Sequence, residues 1–463
     1  MTLNDEKWSK IEDFQFEKSP QEYGFVTRLA YENGWTEFFT KQAIFEYKKF
    51  MYLVSNSSEM LSPSEIVDTV WHQHLIYSES YKNFCTLLGK EIKHIPSTHH
   101  AEEKTLFSEA FVRTEKLYKE NFDASGWKFW KIKNDLELLS FTHSSSSSIS
   151  PFQLFLVATF LGTLIVYNLL RPIIIKIDNP YFIIGYLFLF GIMMVSLYQY
   201  AKIYLKKILL SKDNLLLEKL SVNELICLKT KNVQPLVDIA LCSLVKENQL
   251  KILNDELTVI HKRISKTVLE KAVRNCFQKT QFLDYGYIVK RLKVKNCFLQ
   301  YLKSTKKITD FIKKSKEYQK LEYHICIVFS LFISVGLGRY FIGMSRQKPI
   351  FILLFVLVIL CLVFLYFYKT KLNFLFHSLL VQPTKKNSET EENQDMSLAF
   401  LLIGSSVFGN EWLAYTASHN RYLADGSYHS NSDSGSSSSS SDSGSSCSSG
   451  SSCGSSCGGC GGD

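Results

Sequence analysis

Four apolar runs, Phe152 to Leu170, Tyr181 to Tyr200, Cys326 to Met344 and Ile350 to Tyr368, dominate the hydropathy pattern of this chain. Each is close to the ~20 residues of helix that a bilayer core requires. They come in two close pairs whose connections are too short to hold a domain. The pattern therefore predicts four transmembrane helices as two hairpins, one over residues 151–200 and one over 323–369. Each hairpin returns the chain to its starting side, so the three polar blocks are expected on one face of the membrane. Runs this long with almost no charge argue against buried helices of a large soluble core.

Residues 1–140 have the period of amphipathic helices instead. Ser19-Pro20-Gln21-Glu22 and Ser62-Pro63-Ser64-Glu65 each place a capping residue, a proline at the first helical position and a glutamate three residues after the cap. Phe25, Leu29 and Ala30 follow the first signature, and Gly34 supplies a stop. Thr36 can cap a helix through Ile44, Tyr47, Phe50 and Met51. Val67, Val70, Trp71 and His74 share a face after the second signature. Tyr81, Phe84, Cys85 and Leu88 form another stripe ending at Gly89, and Phe107, Phe111 and Tyr118 a last one. Five such helices can close a core of their own.

Residues 141–150, with the run Ser144 to Ser148, read as a flexible linker. The block 201–322 has no long apolar run. Leu220 to Leu225 and Val233 to Val245 read as two helices. Leu250 to Leu253 and Leu257 to Ile260 then alternate around Asn254-Asp255 as a small β-hairpin does. That order predicts a winged-helix-like α+β module. Residues 370–430 are polar apart from Ser397 to Phe408, which is half a span and suits a packed or interfacial helix. Residues 431–463 are Gly/Ser/Cys-rich and can form no core, so a disordered tail is expected. The predicted class is mainly α.

Charge orients this arrangement. The chain carries a net +9, unevenly spread. Residues 1–150 hold 17 Lys and Arg against 22 Asp and Glu, residues 201–322 hold 26 against 12, and the segment from Lys369 onward holds 5 against 9. Lys and Arg beside spans stay cytoplasmic. Lys202, Lys206, Lys207 and Lys212 follow the second run, and Lys313, Lys314, Lys316 and Lys320 precede the third. The middle block is therefore expected inside, with both termini cytoplasmic. Met1 to Phe14 has no apolar signal-peptide core.

Eleven cysteines in a cytosolic setting are expected to stay reduced. The chemically suggestive stretch is Val67-Asp68-Thr69-Val70-Trp71-His72-Gln73-His74, followed by Cys85 and His94. Imidazole and thiolate suit zinc. Residues two apart on a helix point about 200° apart, so His72 and His74 cannot chelate one ion together. Asp68 and His72, at i and i+4, share a face and can hydrogen-bond. A three-ligand zinc site from His74, Cys85 and His94 is one candidate. Its alternative is a core in which His74 is satisfied by one hydrogen bond and Cys85 acts as a small hydrophobe. Cys447, Cys453, Cys457 and Cys460 form a second candidate metal set, although their spacing is not that of a zinc ribbon. No base or oxyanion site is assembled around a nucleophile, which argues against an enzyme. The basic middle block suits anionic lipid head groups or a protein partner. Nucleic acid is disfavoured, because Val233 to Val245 carries no Lys or Arg.

Two resemblances add to this. Phe25-Val26-Thr27-Arg28-Leu29-Ala30, Glu32-Asn33-Gly34-Trp35, Glu46-Tyr47-Lys48-Lys49-Phe50, Val67-Asp68 through His74, and His94-Ile95-Pro96 resemble the domain of glycine-rich domain-containing proteins over about residues 20–125. His99-His100 stands where that family usually has a Gly pair, and Ala124-Ser125-Gly126-Trp127 where it has a Pro-rich element. Leu220 to Val245 with its wing, and Gly336-Leu337-Gly338-Arg339-Tyr340-Phe341-Ile342-Gly343, resemble a family of bacterial integral membrane proteins with Gly/Cys-rich tails. The resemblances imply a bacterial inner-membrane setting and no particular reaction. Together with the residues they point to a membrane-anchored scaffold or interaction protein. The alternatives are a metal-binding sensor or enzyme using His74, Cys85 and His94, and a membrane-tethered DNA-binding protein.

Overall fold

A computed structural model describes residues 5–17, 21–95, 101–142, 149–210, 214–253, 256–261, 267–348, 350–388, 396–419 and 460–461. The chain is mainly helical. The first segment holds α1 (Asp5–Glu12), α2 (Phe25–Asn33), α3 (Glu37–Asn56), α4 (Glu65–Ile76), α5 (Ser78–Leu88), the short strand β1 (Lys93–His94), α6 (Ala101–Asn121) and one turn of helix, α7 (Trp127–Trp130). Next come α8 (Pro151–Leu169), α9 (Arg171–Ile174) and α10 (Asn179–Leu209). The middle segment runs α11 (Leu215–Glu218), α12 (Val222–Thr230), α13 (Gln234–Lys246), β2 (Leu250–Leu253), β3 (Glu256–Val259), α14 (Val268–Cys276), β4 (Phe282–Leu283), α15 (Tyr285–Lys293) and α16 (Asn296–Lys313). Then follow α17 (Lys316–Ser345), α18 (Phe351–Tyr366), α19 (Leu372–Ser388), α20 (Met396–Ile403), α21 (Asn410–His419) and β5 (Cys460–Gly461).

Two compact units result. One gathers Met1–Glu137, Leu220–Thr305 and Asn393–Asp463; the other gathers Leu138–Lys219 and Lys306–Glu392. Segments that the apolar runs separate in sequence thus share a unit.

In the first unit the helix ends follow local chemistry. Thr36 caps α3 by accepting from Phe39 N, and Gly34 closes α2 at φ 62°, a conformation that costs a side chain energy. Two starts differ from the sequence expectation. Ser64, not Ser62, caps α4, with its side chain accepting from Val67 N, so Glu65 opens the helix. Gly24 is the N-cap of α2, and Ser19-Pro20 lies outside the described residues. Helix α1 was not expected; it packs on α3 and α5, with Trp8 edge-on to Phe45, Tyr52 and Phe122.

The middle segment is joined to this core by polar contacts at helix ends. Glu224 closes a capping box with Ser221 and also accepts from Glu37 N at 2.8 Å, capping α3. Burial raises its pKa to about 7 despite these donors. Lys303 Nζ donates to Tyr31 O and Glu32 O, the last carbonyls of α2, and Lys295 pairs with Glu22. Strands β2, β3 and β4 form one antiparallel sheet. Helix α20 packs on α12 and α13 and buries Phe400 and Leu401, and from Gly404 to Phe408 the chain continues as a 3-10 turn. Trp412 and Tyr415 of α21 lie against Tyr285. The expected disorder of the tail concerns residues that lie outside the described ones, except that Cys460–Gly461 pairs antiparallel with Lys93–His94.

The second unit contains four helices long and apolar enough to cross a membrane. α10 and α17 outrun the apolar stretches that signalled them, and the fourth continues from Phe351 to Val381 through a π-turn at Phe367–Lys371. Helix α17 is the central one. Its Ser330 and Ser334 hydroxyls reach Phe155 O and Thr159 O of α8 at 3.2 and 3.1 Å. Gly338 lies so close to Val166 that a Cβ there would sit 2.4 Å from Cγ1. These pairings ascend together, so α8 and α17 run parallel. Tyr186 donates to Phe332 O and Tyr200 bonds His324, so α10 runs antiparallel to α17; Phe329 on Phe364 and Tyr368 on Glu322 place α18 the same way. Small residues let helices approach where lipid gives no hydrophobic drive to associate.

Candidate metal centre

Helix α4 divides its side chains between two faces. Ile66, Val67, Val70, Trp71 and His74 turn inward and are buried. Asp68 and His72, one turn apart, lie on the flank between core and surface; the Asp68 side chain is 9% exposed and that of His72 44%. The third member arrives on β1. Trp71 Nε1 donates to Tyr81 Oη at 3.1 Å, and Tyr81 Oη donates to Ile92 O at 2.6 Å. This relay fixes the chain just before His94, whose ring then packs edge-on against Trp71 at 4.4 Å.

The three side chains converge. His72 Nε2 lies 3.0 Å from His94 Nε2, His94 Nε2 lies 3.1 Å from Asp68 Oδ1, and His72 Nε2 lies 3.9 Å from Asp68 Oδ2. Among the described residues this is the one cluster of three or more His, Cys, Asp or Glu with metal-ligand geometry. As a set of hydrogen bonds between neutral imidazoles and a carboxylate the cluster is incomplete. Neutral His94 has one position on Nε2, which either donates to Asp68 or accepts from His72, and cannot do both. A cation at the centre satisfies all three atoms at once. Donor atoms about 2.0 Å from a tetrahedral zinc are separated by about 3.3 Å; two of the spacings here, 3.0 and 3.1 Å, lie near that and the third is 3.9 Å. Three protein ligands leave one position open.

The candidate trio of His74, Cys85 and His94 does not come together as one cluster among the described residues, and the alternative, a core role for His74 and Cys85, describes their surroundings. His74 is 0% exposed and spends both ring nitrogens within the core. Its Nδ1 meets Tyr47 Oη at 2.9 Å and its Nε2 meets Ser80 Oγ at 3.1 Å. Ser80 Oγ donates onward to Phe16 O at 3.0 Å, so Nε2 carries the proton and Tyr47 donates to Nδ1. Phe16, Phe25 and Phe84 surround the ring, and burial lowers its pKa to about 3. Cys85 is a buried free thiol in the core. Of the trio only His94 joins the cluster, with the Asp68 and His72 pair that the i, i+4 spacing had placed on one face. Cys447, Cys453 and Cys457 lie outside the described residues, and of Cys460 the backbone is described, opposite His94 in the β1–β5 pair.

Two other buried acids have different roles. Glu46 accepts from Gln42, Lys49, Tyr118 and Trp130 at 2.8 to 3.1 Å and cross-links α3, α6 and α7. Asp238 accepts from Tyr285 Oη at 2.6 Å, and burial raises its pKa to about 7. It belongs to α13, whose residues Gln234 to Cys242 are all buried.

Comparison with protein-family models, with curated proteins and with solved structures gives no match.

Proposed function

We propose that this chain is an integral membrane protein that holds a zinc-class divalent ion in its extramembrane helical unit. The observation that carries the reading is the convergence of Asp68, His72 and His94 with too few protons to satisfy one another. An imidazole pair with one carboxylate suits zinc or a neighbouring transition ion. The exposed His72 edge and the open fourth position favour exchange with the surroundings, so the site suits metal sensing or metal-gated recruitment by a membrane-anchored scaffold. The helical spans act as the anchor, with α8 and α10, and α17 and α18, as two hairpins in the bilayer. The strong positive balance of residues 201–322 supports a cytoplasmic placement of the extramembrane unit, as in a bacterial inner membrane, with lipid head groups and proteins as partners.

In this reading α12, α13 and the β2–β3 pair make a winged-helix-like module that serves packing rather than DNA binding. The helix that such modules use for base contact is α13, and it is covered by α20.

Equilibrium metal competition on the full-length protein in detergent tests the proposal. The parent for all measurements carries serine at Cys447, Cys453, Cys457 and Cys460, which removes the tail thiols as rival ligands. One zinc per chain is expected, lost in His72→Ala. Zinc retained at full stoichiometry in His72→Ala would end the reading.

A further inference from the structure

The small sheet of the middle segment has two unlike faces. In the order β2–β3–β4, Lys251 stands opposite Thr258 and Thr258 opposite Phe282, while Leu253 stands opposite Glu256. Residues opposite one another in an antiparallel pair share a face, and so do alternate residues along a strand. Ile260, whose N bonds Gln249 O, extends the same row. One face therefore carries Lys251, Leu253, Glu256, Thr258, Ile260 and Phe282. The other carries Leu250 and Leu257, both buried, where β2 packs on α13. The first face lacks the polar character of a sheet face turned to water. Leu253 is 42% exposed, Ile260 44% and Phe282 52%. We infer that this face docks on the surface of an anionic lipid bilayer, an inference that rests on the membrane-anchored reading above and not on its metal site.

Charge selects the occupant. Lys251 lies on the face and is exposed, and His261 and Lys279 are exposed in the segments beside its strands. In sequence, the connection from β3 to α14 adds Lys262, Arg263 and Lys266. Glu256 and Asp255 at the hairpin turn and Asp284 after β4 oppose them. From Gln249 to Asp284 the balance is still 7 Lys and Arg against 4 Asp and Glu, within a block that holds 26 against 12. Apolar side chains set among cations suit an interfacial lipid contact: the apolar groups enter between head groups, and the cations meet anionic lipid phosphates.

Size points the same way. Strands of four, four and two residues, at about 3.3 Å per residue and about 4.8 Å apart, make the face roughly 13 by 10 Å. That is a small part of the about 800 Å² that each partner gives to a stable protein interface. A bilayer contact needs no such area, because the same chain carries the apolar helices and a tether makes a weak contact intramolecular.

The test uses full-length protein in nanodiscs of phosphatidylcholine alone and of phosphatidylcholine with phosphatidylglycerol. Side-chain exposure is read by hydroxyl-radical labelling and mass spectrometry. Labelling of Leu253, Ile260 and Phe282 is expected to fall about threefold or more in the anionic discs, while Tyr23 and Val294, exposed elsewhere on the unit, keep theirs. Lys251→Gln/Lys279→Gln, at two exposed positions, is expected to restore labelling to the neutral-disc level, as is salt at about 0.5 M. Equal labelling in both kinds of disc overturns the inference, as does an equal fall at Tyr23 and Val294 or a fall that the lysine variant leaves in place. Protection that appears in detergent and grows with protein concentration would assign the face to a second copy and overturn it too. A chain that does not enter discs at all would end the membrane reading, and the inference with it.

Discussion

Two carboxylates of the N-terminal helices, Glu46 and Asp68, are both largely buried and have opposite surroundings. Glu46 is 0% exposed and meets four donors, two on each oxygen, which is as many as a carboxylate can accept. Its site is complete. Asp68 faces two imidazole nitrogens that also face each other, with at most one proton between His94 and its two neighbours. The first arrangement holds a fold together. The second leaves at least one of its close contacts without a proton to bridge it, and that mismatch marks a ligand site more specifically than burial does.

The largest expected effect breaks the complete site. Glu46→Ala strands Lys49 beside Tyr118 and Trp130 without its counter-charge, which is expected to cost about 3–5 kcal/mol. All six tryptophans, Trp8, Trp35, Trp71, Trp127, Trp130 and Trp412, belong to the first unit, so urea unfolding followed by tryptophan fluorescence reads that unit selectively. An unchanged midpoint would mean that the Glu46 network is not what joins α3, α6 and α7.

The incomplete site is expected to respond in the opposite manner. Asp68→Asn and His72→Ala should weaken zinc binding at least about 100-fold, with metal-free stability changed by less than about 1 kcal/mol. Loss of stability comparable to that of Glu46→Ala, with zinc affinity retained, would make the cluster a structural one.

A smaller effect separates His74 from its neighbour His72. Its folded pKa of about 3 lies below the unfolded value of 6.5, so the unfolded chain binds the extra proton between those values. The stability contribution is complete above pH 6.5 and is lost progressively as pH falls toward 3. Relative to His74→Gln, the parent should lose roughly 2 kcal/mol between pH 6.5 and 5. Comparing the two chains removes the opposing trend from Glu224 and Asp238, whose raised pKa values of about 7 add stability as pH falls. Parallel stability curves would show that His74 titrates normally and is not the buried neutral group described.

The four long apolar helices were legible because a bilayer imposes a length and a composition that little else imitates, and but for Leu170 and Ile350 the four runs lie within helices able to cross a membrane. Gly34 and Thr36 were legible because their roles are local. Ser64 was not distinguishable from Ser62, since both precede a plausible helix start. Helix α1 escaped because its residues are mostly polar, with only Trp8, set among Phe45, Tyr52 and Phe122, and the buried Ile11 to mark an inward face. For the site, the i, i+4 pairing of Asp68 with His72 was readable from helical geometry. Which of them His94 would join was not, because that depends on the Trp71–Tyr81–Ile92 relay, a contact between three elements. The apolar stripe drew attention to His74, and the same stripe placed it in the core.

X-ray absorption at the zinc edge, on the zinc-loaded full-length protein with the four tail cysteines replaced by serine, tests the central claim most directly. The account requires one zinc with nitrogen and oxygen neighbours at about 2.0–2.1 Å and imidazole scattering that diminishes in His72→Ala. A sample that binds no zinc, or a spectrum that His72→Ala leaves unchanged, would contradict it.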